Sequence, residues 1–504
     1  MSLNYARGKA PAGLLLLTYI VGMPDRALVN ELNGGNALPS PVAESLARPT
    51  SSGLYISWKE HRIDDEASSS IPLRGADGLK VGRIDNDSYL DIVSVHEDSS
   101  HVRIAFGTSD PDTWTSCTLG EGAEVAAPED ISLADLNRDG ALDIIVAAEL
   151  EHIIYFQNPG ETDVRKCEWP RVIPDVTANR GSWIRVYAED LNGDERLEVI
   201  APNKGDQQPE GAPIPTNFPP RAISIFNIAD EPLESFNWKE SVVTKMPVPM
   251  NSKPVDLDGD GDFDLVGGSR YEARLFWYEN KGMHDGAFKF TERPIDVSGR
   301  NHPWTRGPRR LTGMNLEFAD LNHDQRLDIV LQESTSKNVW LEQPQSLNDA
   351  WKIHLIGDIH PDRSTGLLLT DIDGDGDLDL FNGGYSGLPR NVDGSQVTPS
   401  SPVGRLAWFE NPNNPKKPWK RHDISRRVRG MYDEFSAHDM DGDGDIDLIG
   451  TRGNSGEFDG VFWLEQLRTN APQKVFLPAR TMESRQLPLP PVSVPTQLLR
   501  ETPR

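Results

Sequence analysis

Cysteine is nearly absent. Cys117 and Cys167 are the only two among 504 residues, too few for a disulfide framework, and their number leaves open both the redox compartment and the one bridge they allow. Basic charge is scarce too. Against 78 Asp+Glu stand 51 Lys+Arg, a formal net charge of −27, so the surface lacks the cationic face that binding to nucleic-acid phosphate requires. The apolar run from Leu14 to Met23, behind Arg7 and Lys9, is too short for a stable membrane span. It resembles instead the core of a secretory signal, which points to a secreted, periplasmic or cell-surface protein. With 43 Gly and 39 Pro, long helices are excluded, and with them bundles and coiled coils. The chain also lacks a glycine-rich phosphate loop, a nucleophile elbow and a His-Glu-x-x-His zinc motif.

What is abundant is a spaced acidic pattern. Three copies are regular: Asp256-x-Asp258-x-Asp260-Gly261-x-x-Asp264, Asp371-x-Asp373-x-Asp375-Gly376-x-x-Asp379 and Asp439-x-Asp441-x-Asp443-Gly444-x-x-Asp447. Three vary slightly: Asp135-x-Asn137-x-Asp139-Gly140-x-x-Asp143, Asp190-x-Asn192-x-Asp194-Glu195-x-x-Glu198 and Asp320-x-Asn322-x-Asp324-Gln325-x-x-Asp328. A seventh begins with Arg83, followed by Asp85, Asp87, Ser88 and Asp91. Alternate oxygen-bearing side chains on a tight loop suit a hard cation such as Ca²⁺, which takes six to eight oxygens, and a glycine in sixth place permits the sharp turn. An EF-hand would need an acid at the twelfth position, but the residues there are Ser94, Val146, Ala201, Gly267, Leu331, Asn382 and Gly450. Short β-branched runs follow the loops, as in Leu142-Asp143-Ile144-Ile145-Val146, so each loop is expected to join two strands. About six calcium sites are expected. Arg83 should leave its own loop without metal and pair with Asp85, Asp87 or Asp91, and the Asp190 loop should be a weaker site.

After each loop the chain repeats further strands. An aromatic strand often ends in Asn-Pro or Gln-Pro, as in Tyr155-Phe156-Gln157-Asn158-Pro159 and Trp340-Leu341-Glu342-Gln343-Pro344. A fourth strand is marked by Trp, as in Trp351-Lys352-Ile353-His354 and Trp419-Lys420-Arg421-His422, where the histidines read as packing residues. Seven four-stranded antiparallel units predict an all-β, seven-bladed β-propeller. The last unit lacks its Trp-Lys strand, whereas Trp58-Lys59-Glu60-His61 precedes the first loop without a blade of its own. The N-terminal strand should therefore close the ring and cover a sheet edge. The expected organisation is a leader and disordered linker over 1–52, the propeller over 53–466, and a proline-rich disordered tail over 467–504.

The Asp-x-Asp-x-Asp-Gly-x-x-Asp loops resemble those of the FG-GAP/VCBS repeat family, the calcium-loop propellers related to the integrin α-subunit head. The Trp-Lys-x-His-x-Ile strands look closest to microbial members such as the propeller of aldos-2-ulose dehydratase. The resemblance covers about residues 55–466 and implies an extracellular or periplasmic propeller that uses Ca²⁺ structurally.

The connections on the face away from the acidic loops are the longest, and function is expected there. Polar residues expected near that face include Glu97, Glu149, Lys204 and Glu434. Arg270, Trp304, Arg306, Arg363, Tyr385 and Arg452 are candidates to hold a ligand, since arginine pairs with carboxylates and stacks on rings. The partner is expected to be a carbohydrate or an extracellular protein. Were the protein a carbohydrate lyase or dehydratase, Tyr271, His302 or His360 would supply the base. A purely structural surface module is the third expectation.

Overall fold

Each acidic loop needs two strands to hold its ends together, and the computed structural model of the protein builds that unit seven times around a ring. It describes residues 52–489 apart from 206–217, 273, 299–310, 334, 387–396, 399 and 481–483, together with 44, 45, 47 and 48. The leader run Leu14–Met23 lies outside the described residues.

Blades one to six are antiparallel sheets in sequence order. Blade four, for example, runs through Pro249–Val255, Asp264–Ser269, Arg274–His284 and Ala287–Pro294. The expected closure is present: Tyr55–Asp65 pairs antiparallel with Gly460–Thr469, from Tyr55 opposite Thr469 to Asp65 opposite Gly460. It forms the fourth strand of blade seven, so the two ends of the propeller are hydrogen-bonded into one sheet.

Strand alternation leaves both faces of each sheet apolar, and the buried side chains cluster between neighbouring blades. Blades one and two enclose Val93, Ile104, Ile131, Ile144 and Trp169, for example, and blades four and five enclose Val266, Trp277, Ile329 and Trp351. Seven such clusters account for the ring, since a blade presents two apolar faces and satisfies both only when the circle is complete. His354 and His422 are packing residues, as expected, and His61 packs in the same way. His61, His354 and His422 stack on Trp463, Trp340 and Trp408 with centroids 4.1–4.3 Å apart. Each also bonds through Nε2 to a glutamate, Glu465, Glu342 or Glu410.

The structure corrects the expected domain end. Residues after 466 continue into the fold: Phe476–Leu477 adds a fifth, parallel strand to blade seven beside Trp58 and Lys59. Leu487 is buried with Val403 and Val428 of blade six, and its N–H donates to Arg426 O at 2.8 Å. Both are edge strands, and pairing their outer backbone groups is what a proline-rich segment with few apolar residues can still do.

Cys117 and Cys167 form a disulfide between the outer strand of blade one and the connection ahead of blade two's outer strand. The closed segment spans 50 residues, for which loss of the crosslink costs about 2–4 kcal/mol through the unfolded chain. Cys117→Ser should accordingly shift the urea midpoint downward, and the wild type in reductant should match it. Equal midpoints for oxidised wild type and variant would contradict this.

Candidate metal-binding loops and the opposite face

The acidic loops all lie on one face, between the first and second strands of their blades. Their first carboxylate shapes the turn. Asp371 Oδ1 accepts from Gly374 N at 2.8 Å and Oδ2 from Gly376 N at 3.0 Å, and Asp256 and Asp439 do the same with Gly259 and Gly261 and with Gly442 and Gly444. The sixth residue must take a left-handed conformation, with φ of +92° to +97° at Gly140, Gly261 and Gly376. Glu195 and Gln325 adopt it as well, at +66° and +68°, so neither substitution breaks its loop.

The ninth-position acid does a second job. Asp91, Asp143, Glu198, Asp264, Asp328, Asp379 and Asp447 are all buried. One oxygen of each accepts from the N–H of the loop's second residue, as Asp379 Oδ2 does from Ile372 at 3.0 Å. The other reaches the residue ending the third strand: Asp143 Oδ1 bonds Asn158 N, Asp328 Oδ1 bonds Gln343 N and Asp379 Oδ1 bonds Asn411 N. This explains the recurrent Asn-Pro and Gln-Pro. The amide side chains of Asn158, Asn280, Gln343 and Gln466 go on to donate to Ile84, Leu191, Leu257 and Ile372 carbonyls of the preceding blade, at 2.8–3.0 Å. Four of the blades are thereby stapled to the one before. Glu198, one methylene longer, differs: its Oε1 takes the side-chain amides of Asn192 and Asn227 at 3.1 Å.

The donor set fits a hard cation. Asp256, Asp258 and Asp260 bring carboxylate oxygens within 4.8 Å of one another, and so do Asp371, Asp373 and Asp379, and Asp439, Asp441 and Asp447. Asn322 Oδ1 and Asp262 Oδ1 are buried with no hydrogen-bond donor among the described residues. Burial pushes Asp379 up to about 9 and Asp264, Asp328 and Asp447 to about 7, with neighbouring loop carboxylates adding to the shift. Oxygen atoms grouped in this way suit Ca²⁺.

The first loop differs from its expectation. Arg83 is exposed, and the residue that pairs with Asp85 and Asp87 is Arg165, from the neighbouring blade. Sequence reasoning missed it because the two segments are about 80 residues apart.

On the opposite face the structure gathers a charged cluster. Glu97 and Glu149, after the second strands of blades one and two, meet Glu129 of blade two's first strand with oxygens within 4.8 Å. Lys204, near the end of blade three's second strand, pairs with Glu149 and lies 3.9 Å from Glu129. Burial lowers the lysine and raises Glu129, so the site resists carrying its charges. Arg185 of blade three reaches across the middle of the ring, donating to Asn315 Oδ1 of blade five at 2.9 Å and lying 3.5 Å from Asp433 of blade seven. Glu129 and Arg185 had no motif to mark them.

The expected ligand residues are distributed. Arg270 and Tyr271 follow the second strand of blade four, where Tyr271 packs on Phe218 with centroids 5.0 Å apart and Arg270 lies beside Met314. Arg363 and Tyr385 are paired in register on the first and second strands of blade six. Arg452 is fully buried in blade seven, with Nε donating to Ser455 Oγ at 3.0 Å and its guanidinium over Phe458. His360 is exposed ahead of blade six. His302, Trp304 and Arg306 lie outside the described residues.

A repeat family described as FG-GAP-like repeat matches residues 83–146, 256–331 and 320–382, and the chain carries FG-GAP-like repeats on a seven-bladed propeller. A search of the curated proteins finds no match. Among solved structures the chain is similar to BBS1N in complex with ARL6DN, soaked with mercury, at 10% identity, covering 80% of this chain and 96% of that one with a TM-score of 0.42. The same complex soaked with lead matches at 11% identity, over 82% and 98%, with a TM-score of 0.39. No helix among the described residues is long and apolar enough to cross a membrane.

Proposed function

We propose that the protein is an exported, calcium-stabilised propeller that binds a carbohydrate on the face opposite its acidic loops. The clustering of three carboxylates in each of three loops carries the calcium reading. The Cys117–Cys167 disulfide supports an oxidising compartment. For the ligand, the aromatic pair Phe218 and Tyr271 offers a ring surface beside Arg270, which suits a sugar bearing a carboxylate. Binding is favoured over lyase or dehydratase chemistry because Tyr271 and His360 belong to blades four and six.

The test presents calcium-loaded protein with neutral and anionic oligosaccharides, following binding by calorimetry and unsaturated products by ultraviolet absorbance. Binding weakened at least tenfold by Arg270→Ala, without new absorbance, is the expected result. Turnover would convert the reading to an enzyme, and binding indifferent to Arg270 and Tyr271 would remove this site.

A further inference from the structure

Six of the seven acidic loops share one turn. In each, the sixth residue has positive φ and returns its N–H to the first aspartate, as Gly140 does to Asp135, Glu195 to Asp190 and Gln325 to Asp320 at 2.7–2.9 Å. The loop of blade one has no carboxylate in first place to receive that bond, and Ser88, its sixth residue, is not left-handed. Asp85 and Asp87 remain at the third and fifth positions, and a guanidinium from the next blade bonds both, whereas in blade five Arg326 pairs with Asp324 from within the same loop. Arg165 Nε donates to Asp85 Oδ2 at 2.6 Å and Nη2 to Asp87 Oδ2 at 3.2 Å, while the group lies 5.0 Å from the Phe106 ring centroid.

The placement of Arg165 is built in. It sits in the short turn Val164–Lys166 of blade two, and the disulfide partner Cys167 follows directly, anchored to Cys117 of blade one. A guanidinium is permanently charged and planar and satisfies two carboxylates from one side, whereas a calcium ion needs oxygens around it. Arg83 in the first position would add a second positive charge against any metal.

We propose that blade one closes its loop with the Arg165 guanidinium where the other six blades use calcium, so that Arg83 and Arg165 fix the chain's capacity at six ions. This rests on the calcium reading above. The experiment is calorimetric calcium titration of the stripped full-length chain, paired with melting curves in chelator and in calcium. Asp85→Asn/Asp87→Asn should bind as many ions as the wild type, whereas Asp373→Asn loses one. Arg83→Asp/Arg165→Gln should gain one. Arg165→Gln alone should melt lower than the wild type by the same interval in chelator and in calcium, because its deficit involves no metal. Loss of one ion in the Asp85/Asp87 variant, or a deficit of Arg165→Gln that calcium repairs, would overturn the proposal while leaving the calcium reading intact. A wild type that takes up no calcium would sink that reading and the contrast drawn from it. If the double arginine variant fails to fold, the comparison of Asp85→Asn/Asp87→Asn with Asp373→Asn still decides.

Discussion

Stripping calcium should lower the melting temperature more than any single substitution. A ligand bound only to the native state at a hundred times its dissociation constant contributes about 2.7 kcal/mol, so six independent loops would contribute about 16 kcal/mol. Without the ion the clustered carboxylates repel, and the pH dependence follows from their shifts. Asp379, Asp264, Asp328 and Asp447 have folded pKa values raised above the ordinary carboxylate range, to between about 7 and about 9. The contribution of such groups is fully present below about pH 4, where both states are protonated, and is lost as pH rises through the folded values. Metal-free protein should therefore melt higher at pH 5 than at pH 8. Added calcium should restore stability chiefly at the higher pH, releasing protons as it binds. Calorimetry in buffers of different ionisation enthalpy would detect that release. An unchanged melt in excess chelator would end the structural-metal reading.

Glu60→Ala should cost about 3–5 kcal/mol, the penalty of leaving a buried charge without its partner. Glu60 lies in the N-terminal strand and receives both guanidinium nitrogens of Arg427, at 2.9 and 2.8 Å, with neither side chain exposed. Ala479 N donates to the same carboxylate at 3.1 Å, so one group joins blade six, blade seven and the C-terminal segment. Despite burial, the positive charges of Arg427 and Arg62 hold Glu60 well below the ordinary carboxylate range. A depressed acid stabilises above its unfolded pKa and loses that contribution only as pH falls toward the folded one, so the pair should persist through mild acid. Denaturant unfolding of Glu60→Ala and of a chain ending at residue 470 would measure the latch. A loss below 1 kcal/mol in Glu60→Ala would show that the pair is dispensable.

The sequence reported the parts of this architecture that are local. A turn residue with positive φ, alternating oxygens and a Trp-Lys-x-His strand are set by neighbours a few residues apart, and they survive as a readable period. Ring closure was legible for the same reason: Trp58-Lys59-Glu60-His61 was a strand without a blade, and Val461–Gln466 ended a blade without that strand. The recurrent Asn and Gln before proline were visible but mute. Their meaning, a staple from a buried loop acid to the carbonyl of the preceding blade, exists only once two blades lie side by side.

What tertiary structure alone decided is where charges meet. Arg165 finds Asp85 from the next blade, Arg185 reaches Asp433 across the ring, and Lys204 enters a nest of glutamates from blades one and two. Ion pairing has no sequence period, because a long side chain answers to distance and burial rather than to position along the chain. The C-terminal segment is the same case. Its prolines marked it as unable to build a core, and only the exposed edges of blades six and seven gave its backbone something to pair with. The sequence by itself thus determined the unit and its count, since these follow from short-range turn and strand chemistry. Which guanidinium pairs with the carboxylates of the first loop, and where the C-terminal segment docks, were decided by contacts between residues tens to hundreds of positions apart.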